Sequence, residues 1–252
     1  MAPWPLFVLA GVMIGSITGL FGIGGSAIAT PLLSLMGVPP LMAVASPLPS
    51  TAPVALAAVF PYAREGESRP RAAAWSLLGA IPGVIAGAYL SEFVGGPPLL
   101  IASGLVLMVV GQRVLQPIGE EMRGRGTLRR RNRPLLVAVS ALIGVFSGLL
   151  ANGGGFLLVP TYLLVFGLTM RQSVGTSLLV ITAVAIPNLV VHWSLGHIDW
   201  PVALAFLAGA VPAGAASSHF AHRVEGPKVR RAFGWFLIAA GAGFVALRLF
   251  AG

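Results

Sequence analysis

Two short stretches hold the residues whose types and spacing could do chemistry: GLFGIGGSAIATP, from Gly19 to Pro31, and GLLANGGGFLLVP, from Gly148 to Pro160. What they offer is backbone. Glycine lets the chain turn sharply and lets a ligand come close to main-chain atoms. In each stretch an apolar run follows at once, which predicts a helix starting at Ala27 and another at Phe156. The first N–H groups of a helix have no partner inside it, and they sit at the positive end of its dipole. A glycine turn facing such a start is suited to holding an anion.

The elements that position these turns lie in a very apolar chain. Of 252 residues, 56% are hydrophobic and only 9% are charged, and the charges fall in a few short connections. This balance defines a polytopic membrane protein rather than a soluble domain. The net charge of +9 comes from 16 basic residues, all but Lys228 being Arg, placed between apolar runs. That placement anchors loops at a membrane surface and argues against a nucleic-acid partner. With no cysteine, disulfides, thiolate metal sites and cysteine redox chemistry are excluded. No metal site or cofactor is implied. The start, MAPWPLFVLAGVMIGSITGL, lacks a charged leader region and a cleavage site, and reads as a retained first helix.

A spanning helix needs about 20 apolar residues, so the charge-free run from Pro3 to Ala63 must hold several elements. Glycine and proline divide it into Pro5 to Leu20, Ala27 to Met36 and Leu41 to Tyr62. The middle piece has the length of about half a bilayer core. The two glycine stretches align at an offset of 129 residues, pairing Gly24 with Gly153, Gly25 with Gly154 and Pro31 with Pro160. At 130 the match continues through Ser46 and Thr176, Pro82 and Pro212, Gly96 and Gly226, and Gly111 and Gly241. The chain is therefore a duplication. Residues 1–115 form a first transmembrane repeat and 134–252 a second, joined by the basic linker 116–133 within one membrane domain.

Positive residues mark the cytoplasmic side. They follow the third and fifth elements of repeat one (Arg64, Arg69, Arg71; Arg113 to Arg133). In repeat two they follow the second and fourth (Arg171; Arg223, Lys228, Arg230, Arg231), whereas the loop SLGHID carries no Lys or Arg. Opposite bias at corresponding loops predicts an all-α bundle of two inverted repeats, each a glycine-broken helix hairpin plus three spanning helices. Both termini then face outward, and Arg248 is an exception. Two tilted full crossings in place of each hairpin would leave the same parity.

Irregular backbone at membrane depth is tolerated only where protein or a water-filled cavity covers it. The two breaks are thus expected to meet near the midplane, with backbone at Gly22, Gly24, Gly25, Ser26, Ala27, Gly153, Gly154, Gly155 and Phe156 facing substrate. A single such glycine more often serves tight helix crossing; paired breaks before half-helices favour a ligand. Ser26, Asn152, Ser46, Thr176, Ser177 and Asn188 are the polar side chains placed to complete a site. Hydroxyls are commonly satisfied by their own helix, while an amide in lipid is costly without a partner, so Asn188 stands out. No Asp, Glu, Lys or Arg falls at midspan, which leaves a carboxylate proton relay unsupported. His192, His197, His219 and His222 lie near helix ends and are expected at the interface.

The paired glycine stretches, together with VGTSLLVITAVAIPN from Val174 to Asn188, resemble the sulfite exporter TauE/SafE family of bacterial membrane permeases. Through the duplication the resemblance covers nearly the whole chain. It implies transport of a small sulfur-containing or organic anion across a bacterial inner membrane, and supports Gly24, Gly25, Gly153, Gly154, Gly155, Thr176 and Ser177 as motif positions. The first half departs from the pattern. Ser26 stands opposite Gly155, and ASPLPSTAP (Ala45 to Pro53) replaces a GTSL-like run, its three prolines forbidding a regular helix. An anion channel and a non-transporting subunit are the alternatives. An intramembrane hydrolase would need a base near Ser26 or Ser177, and neither a midspan histidine nor G-x-S-x-G is present. Substrate identity, direction, coupling and oligomeric state are left open at this stage.

Overall fold

Glycine and proline set the helix ends in a computed structural model that describes residues 3–24, 26–91, 96–116, 132–149, 155–221 and 223–250. Helix α1 (Trp4–Phe21) has proline in its first turn, where the missing N–H costs nothing, and ends on Gly22 in the left-handed region at φ 66°. Gly24 follows at φ 67°. Then come α2 (Ser26–Leu35), α3 (Pro40–Ala45) and α4 (Leu48–Arg64). Helices α5 (Pro70–Leu90) and α6 (Gly96–Leu115) follow.

The second half repeats the plan. Helix α7 (Arg133–Leu149) precedes the break, and α8 (Gly155–Pro160) runs on into a π turn over Thr161–Val165. Helix α9 (Met170–Ser194) starts on a capping box in which the Thr169 side chain accepts from the Gln172 N–H. Helices α10 (Trp200–Ala221) and α11 (Gly226–Phe250) complete the chain. Among the described residues there is no strand. Five stretches are long and apolar enough to cross a membrane: Trp4–Phe21, Met42–Arg64, Pro70–Leu90, Met170–Ser194 and Trp200–Ala221. Large apolar side chains such as Leu9, Leu56, Leu142 and Leu204 are exposed on the outside of the bundle, as lipid requires.

The proline-rich stretch ASPLPSTAP interrupts the helix at Ser46 and Pro47, between α3 and α4, and α4 then continues through Pro49, Pro53 and Pro61. Pro49 lies in the first turn, where no intrahelical donor is needed, and each later proline removes one bond from a helix held by its neighbours.

Glycines set how closely the halves pack. A Cβ on Gly11, Gly15 or Gly19 of α1 would run into the carbonyls of Phe206, Ala210 or Gly214 of α10. On α5, Gly79, Gly83 and Gly87 meet the carbonyls of Val137, Ala141 and Val145 of α7 in the same way. Both ladders advance four residues per step on each helix, so the paired helices run in the same direction with backbones in contact. Each crossing joins one helix from each half, and the pairs exchange under the repeat offset: α1 on α10 answers α7 on α5, and α4 on α10 answers α9 on α5.

The helix directions bring Arg133, Arg171 and Arg230 to one end. Arg171 donates to the Val224 carbonyl (3.1 Å), Arg230 to that of Gln116 (3.4 Å), and the Arg133 guanidinium lies over Trp75 in the first turns of α5. The opposite end holds the connection from α9 to α10, where Trp193 and Trp200 meet edge to face. Aromatic rings at that level fit a headgroup boundary.

Candidate functional site

The start of α8 meets the first glycine break. Gly22, Ile23 and Gly24 are buried. A Cβ on Gly155, at the start of α8, would stand 2.5 Å from the Gly22 oxygen and 2.5 Å from the Ile23 carbonyl carbon, and against Ile181 Cδ1. Only glycine allows this approach of backbone to backbone. Gly22 packs in turn on Val174 of α9, and the Ser177 hydroxyl donates to the Gly22 carbonyl at 3.1 Å, satisfying an acceptor freed where α1 ends. Phe156 is buried in the same apolar cluster as Phe21 and Ile23.

Helix α9 lines the meeting point with one stripe: Ser177, Ile181, Val184, Asn188 and His192, three or four residues apart and all buried. Ser177 touches the first break, Ile181 touches Gly155, and His192 Nε2 lies 3.2 Å from the Gly148 carbonyl near the end of α7. Asn188 sits on this face between the contacts that bracket the second break. It is 0% exposed, and neither atom of its amide has a hydrogen-bond partner among the described residues. An unpaired buried amide costs about 1–3 kcal/mol. Pro187, just before it, removes a backbone bond from α9 at the same level.

Ser46 and Thr176 are not at the meeting point. Ser46 Oγ accepts from the Asp199 N–H (3.0 Å) and Thr176 Oγ1 from the Arg69 N–H (3.1 Å). Each thus ties one half's helix to the residue preceding the other span, α10 or α5, and the two bonds are repeat counterparts. Gly25, Asn152, Gly153 and Gly154 lie outside the described residues, as do the side chains of Ser26 and Ala27.

His192 and His197 lie at the helix-end level of Trp193 and Trp200 but are packed inside the bundle, 1% and 9% exposed, with their Nδ1 atoms 3.1 Å apart. The first half has a matching contact, the Tyr62 hydroxyl donating to the Gly19 carbonyl at 3.2 Å. The signal was in the sequence, since the offset of 130 that follows the glycine stretches brings Tyr62 to His192 and Glu67 to His197, next to the pairing of Gly19 with Gly148 at 129. Sequence reasoning also missed a small cleft between α1, α4 and α10, where Thr18, Ser50 and Thr51 stand among Ile14, Gly15, Val54, Phe206 and Ala210. These three hydroxyls bond to carbonyls of their own helix or its preceding turn. No group of three or more metal-ligating side chains occurs among the described residues.

Apolar helices that interlock through glycine, with Gly155 at the start of α8 seated against the buried turn at Gly22 and Ile23, define a multi-pass helical membrane protein. The chain belongs to the sulfite exporter TauE/SafE family, which it matches over residues 7–244. It is 29% identical over 243 residues to a probable membrane transporter protein of Xylella fastidiosa (strain 9a5c), covering 91% of this chain and 90% of that one. Two Bacillus subtilis (strain 168) proteins are similar in the same way. The probable membrane transporter protein YjnA is 26% identical, with 86% and 89% of the two chains covered, and YunE is 24% identical, with 81% and 84%. No solved structure matches.

Proposed function

We propose that the protein is a permease that moves a small sulfur-containing oxyanion, sulfite or a sulfonate, across the bacterial inner membrane, and that it is not an enzyme. The observation that carries this reading is the buried, unpartnered amide of Asn188, on the helix face that runs between Gly148 and Gly155. Its N–H2 offers donors to an oxyanion, and the backbone N–H groups of Gly24 to Ala27 and Gly153 to Phe156 supply the rest. The contact of Gly155 with Gly22 and Ile23 favours a carrier that parts and recloses this seam over a standing channel. With a negative cell interior, outward movement of an anion gains about 2.3 kcal/mol per charge per 100 mV, so export runs without a coupled ion.

The two halves are read as inverted repeats, with the arginine end cytoplasmic. Support comes from the exchanged helix pairs and from the parallel course of α1 with α10 and of α5 with α7. Because the chain has no cysteine, Glu65→Cys should be labelled only from the cytoplasmic face and Ser194→Cys only from the other. Labelling of both from one face would refute the inversion.

Flux into proteoliposomes tests the function. With sulfite, alkanesulfonates, sulfate and carboxylates as probes and the potential imposed in both directions, the sulfur oxyanions should show saturable flux and counterflow. Asn188→Leu should lower that flux at least tenfold while the protein stays inserted. Absence of flux for every probe at both polarities would overturn the proposal.

A further inference from the structure

The cleft between α1, α4 and α10 has a chemistry opposite to that of the glycine breaks. Its polar lining is Thr18, Ser50 and Thr51, all buried. Thr18 Oγ1 donates to the Ile14 carbonyl at 2.9 Å, Ser50 Oγ to the Pro47 carbonyl at 2.7 Å, and Thr51 Oγ1 to that same carbonyl at 3.3 Å. A carbonyl only accepts, so each hydroxyl has its single hydrogen committed and keeps only lone pairs for the cleft. The cavity measures about 10 Å³, room for one water molecule or one small ion. From this geometry we infer that the cleft is a sodium site, and that sodium bound there raises the affinity of the first break for the transported anion.

Backbone donors are scarce at the same place. Pro47 and Pro49 carry no N–H, and the Ser50 N–H returns to the Pro47 carbonyl at 3.0 Å. Ser46 and Pro47 both keep right-handed helical angles, so α3 leads into α4 without a bare helix start that would repel a cation. Lone pairs on hydroxyl oxygens suit a hard cation, and no lining side chain is charged, which favours a single charge over a divalent ion. A cavity of this size favours sodium over the larger potassium ion. Water, with two hydrogens to donate, is the competing occupant.

The second half replaces two of the three hydroxyls with hydrocarbon. At the repeat offset Ser50, Thr51 and Val54 correspond to Val180, Ile181 and Val184, and Phe206 to Ser76. There Ile181 reaches Gly155 instead, and the Ser76 hydroxyl is engaged by Tyr162. In the first half the Thr18 carbonyl accepts the Gly22 N–H at 2.7 Å. The cleft therefore stands one helical turn, about 6 Å along α1, from the first break. No Lys, Arg, Asp or Glu lies within α1, nor within α4 before Arg64, so a cation in the cleft is the nearest charge these two helices can offer an anion at that break. Away from water the two charges attract strongly, and each raises the other's affinity by the same factor. Held there, the ion adds affinity without joining the cargo.

The link to the anion rests on the transport reading, and the test separates the two. Purified protein in detergent should melt about 3 °C or more higher in sodium chloride than in N-methylglucamine chloride of equal ionic strength. In proteoliposomes at a clamped potential, the same exchange of salts should lower the half-saturating concentration of methanesulfonate at least fivefold. Thr51→Val keeps the shape and removes the oxygen, and Ser50→Ala removes a second one. Either should abolish both responses. Ser16→Ala, which deletes a hydroxyl of α1 bonded to the Val12 carbonyl outside the cleft, should keep both. A melting shift that depends on the cleft hydroxyls, without flux of any probe, would uphold the sodium site and defeat the transport reading. Equal melting in the two salts would leave a buried water as the occupant and overturn the inference, as would flux indifferent to sodium or equally sodium-dependent in both variants.

Discussion

Gly154→Leu and Gly25→Leu, each alone, should reduce sulfite or sulfonate flux to the level of protein-free vesicles, at least a hundredfold, with the protein still inserted. Where α8 starts against the first break there is no spare room. At Gly155, beside Gly154, a single added carbon would lie 2.5 Å from backbone of the opposite half, and Gly24, beside Gly25, is held at φ 67°. A leucine next to either glycine puts four carbons where the proposal needs donors open to an oxyanion, and an apolar side chain cannot replace an N–H. Gly226→Leu is the control, since a Cβ there meets nothing within 4 Å. Undiminished flux in both break variants would remove the glycine turns from the mechanism and leave them as packing alone.

Gly15→Leu acts on the fold itself. Its Cβ would collide with the Ala210 carbonyl at the centre of the α1–α10 ladder, where the neighbouring atoms are backbone and have no rotamer to change. Overpacking a tight core costs about 1–3 kcal/mol for smaller insertions than this, and the collision separates two helices along three consecutive contacts. The expected outcome is loss of monodisperse protein from detergent extracts, or a fall in apparent melting temperature of about 10 °C or more. Gly226→Leu should leave both unchanged. A Gly15→Leu protein with unaltered melting would show that the two helices are not bound by that ladder.

Much of this architecture was legible because it rests on long-period patterns. The offset of the two glycine stretches, the half-length helix after Gly25 and the placing of arginines in alternate loops all follow from counting residues against a bilayer. Helix starts fell within one residue, at Ser26 for Ala27 and Gly155 for Phe156. What sequence could not resolve is which partner a polar group finds across the bundle. Ser46 and Thr176 looked like pore hydroxyls and instead accept backbone N–H groups at the next span. The place of His192 near the end of α9 was legible, but not its partner, the Gly148 carbonyl 44 residues earlier. The family resemblance marked Ser177 without its role, which is to bond the carbonyl freed at Gly22.

The glycine ladders also bear on how the molecule is made. Each close crossing takes one helix from either half, so α1 emerges into lipid long before α10 exists to cover Gly11, Gly15 and Gly19, while α5 must wait only for α7. The early-synthesised helix is therefore a long-lived orphan, its notched face open to any other small-residue helix nearby. Completion of the amino-terminal half depends on the last quarter of translation, and truncation before Phe206 leaves it without its seat.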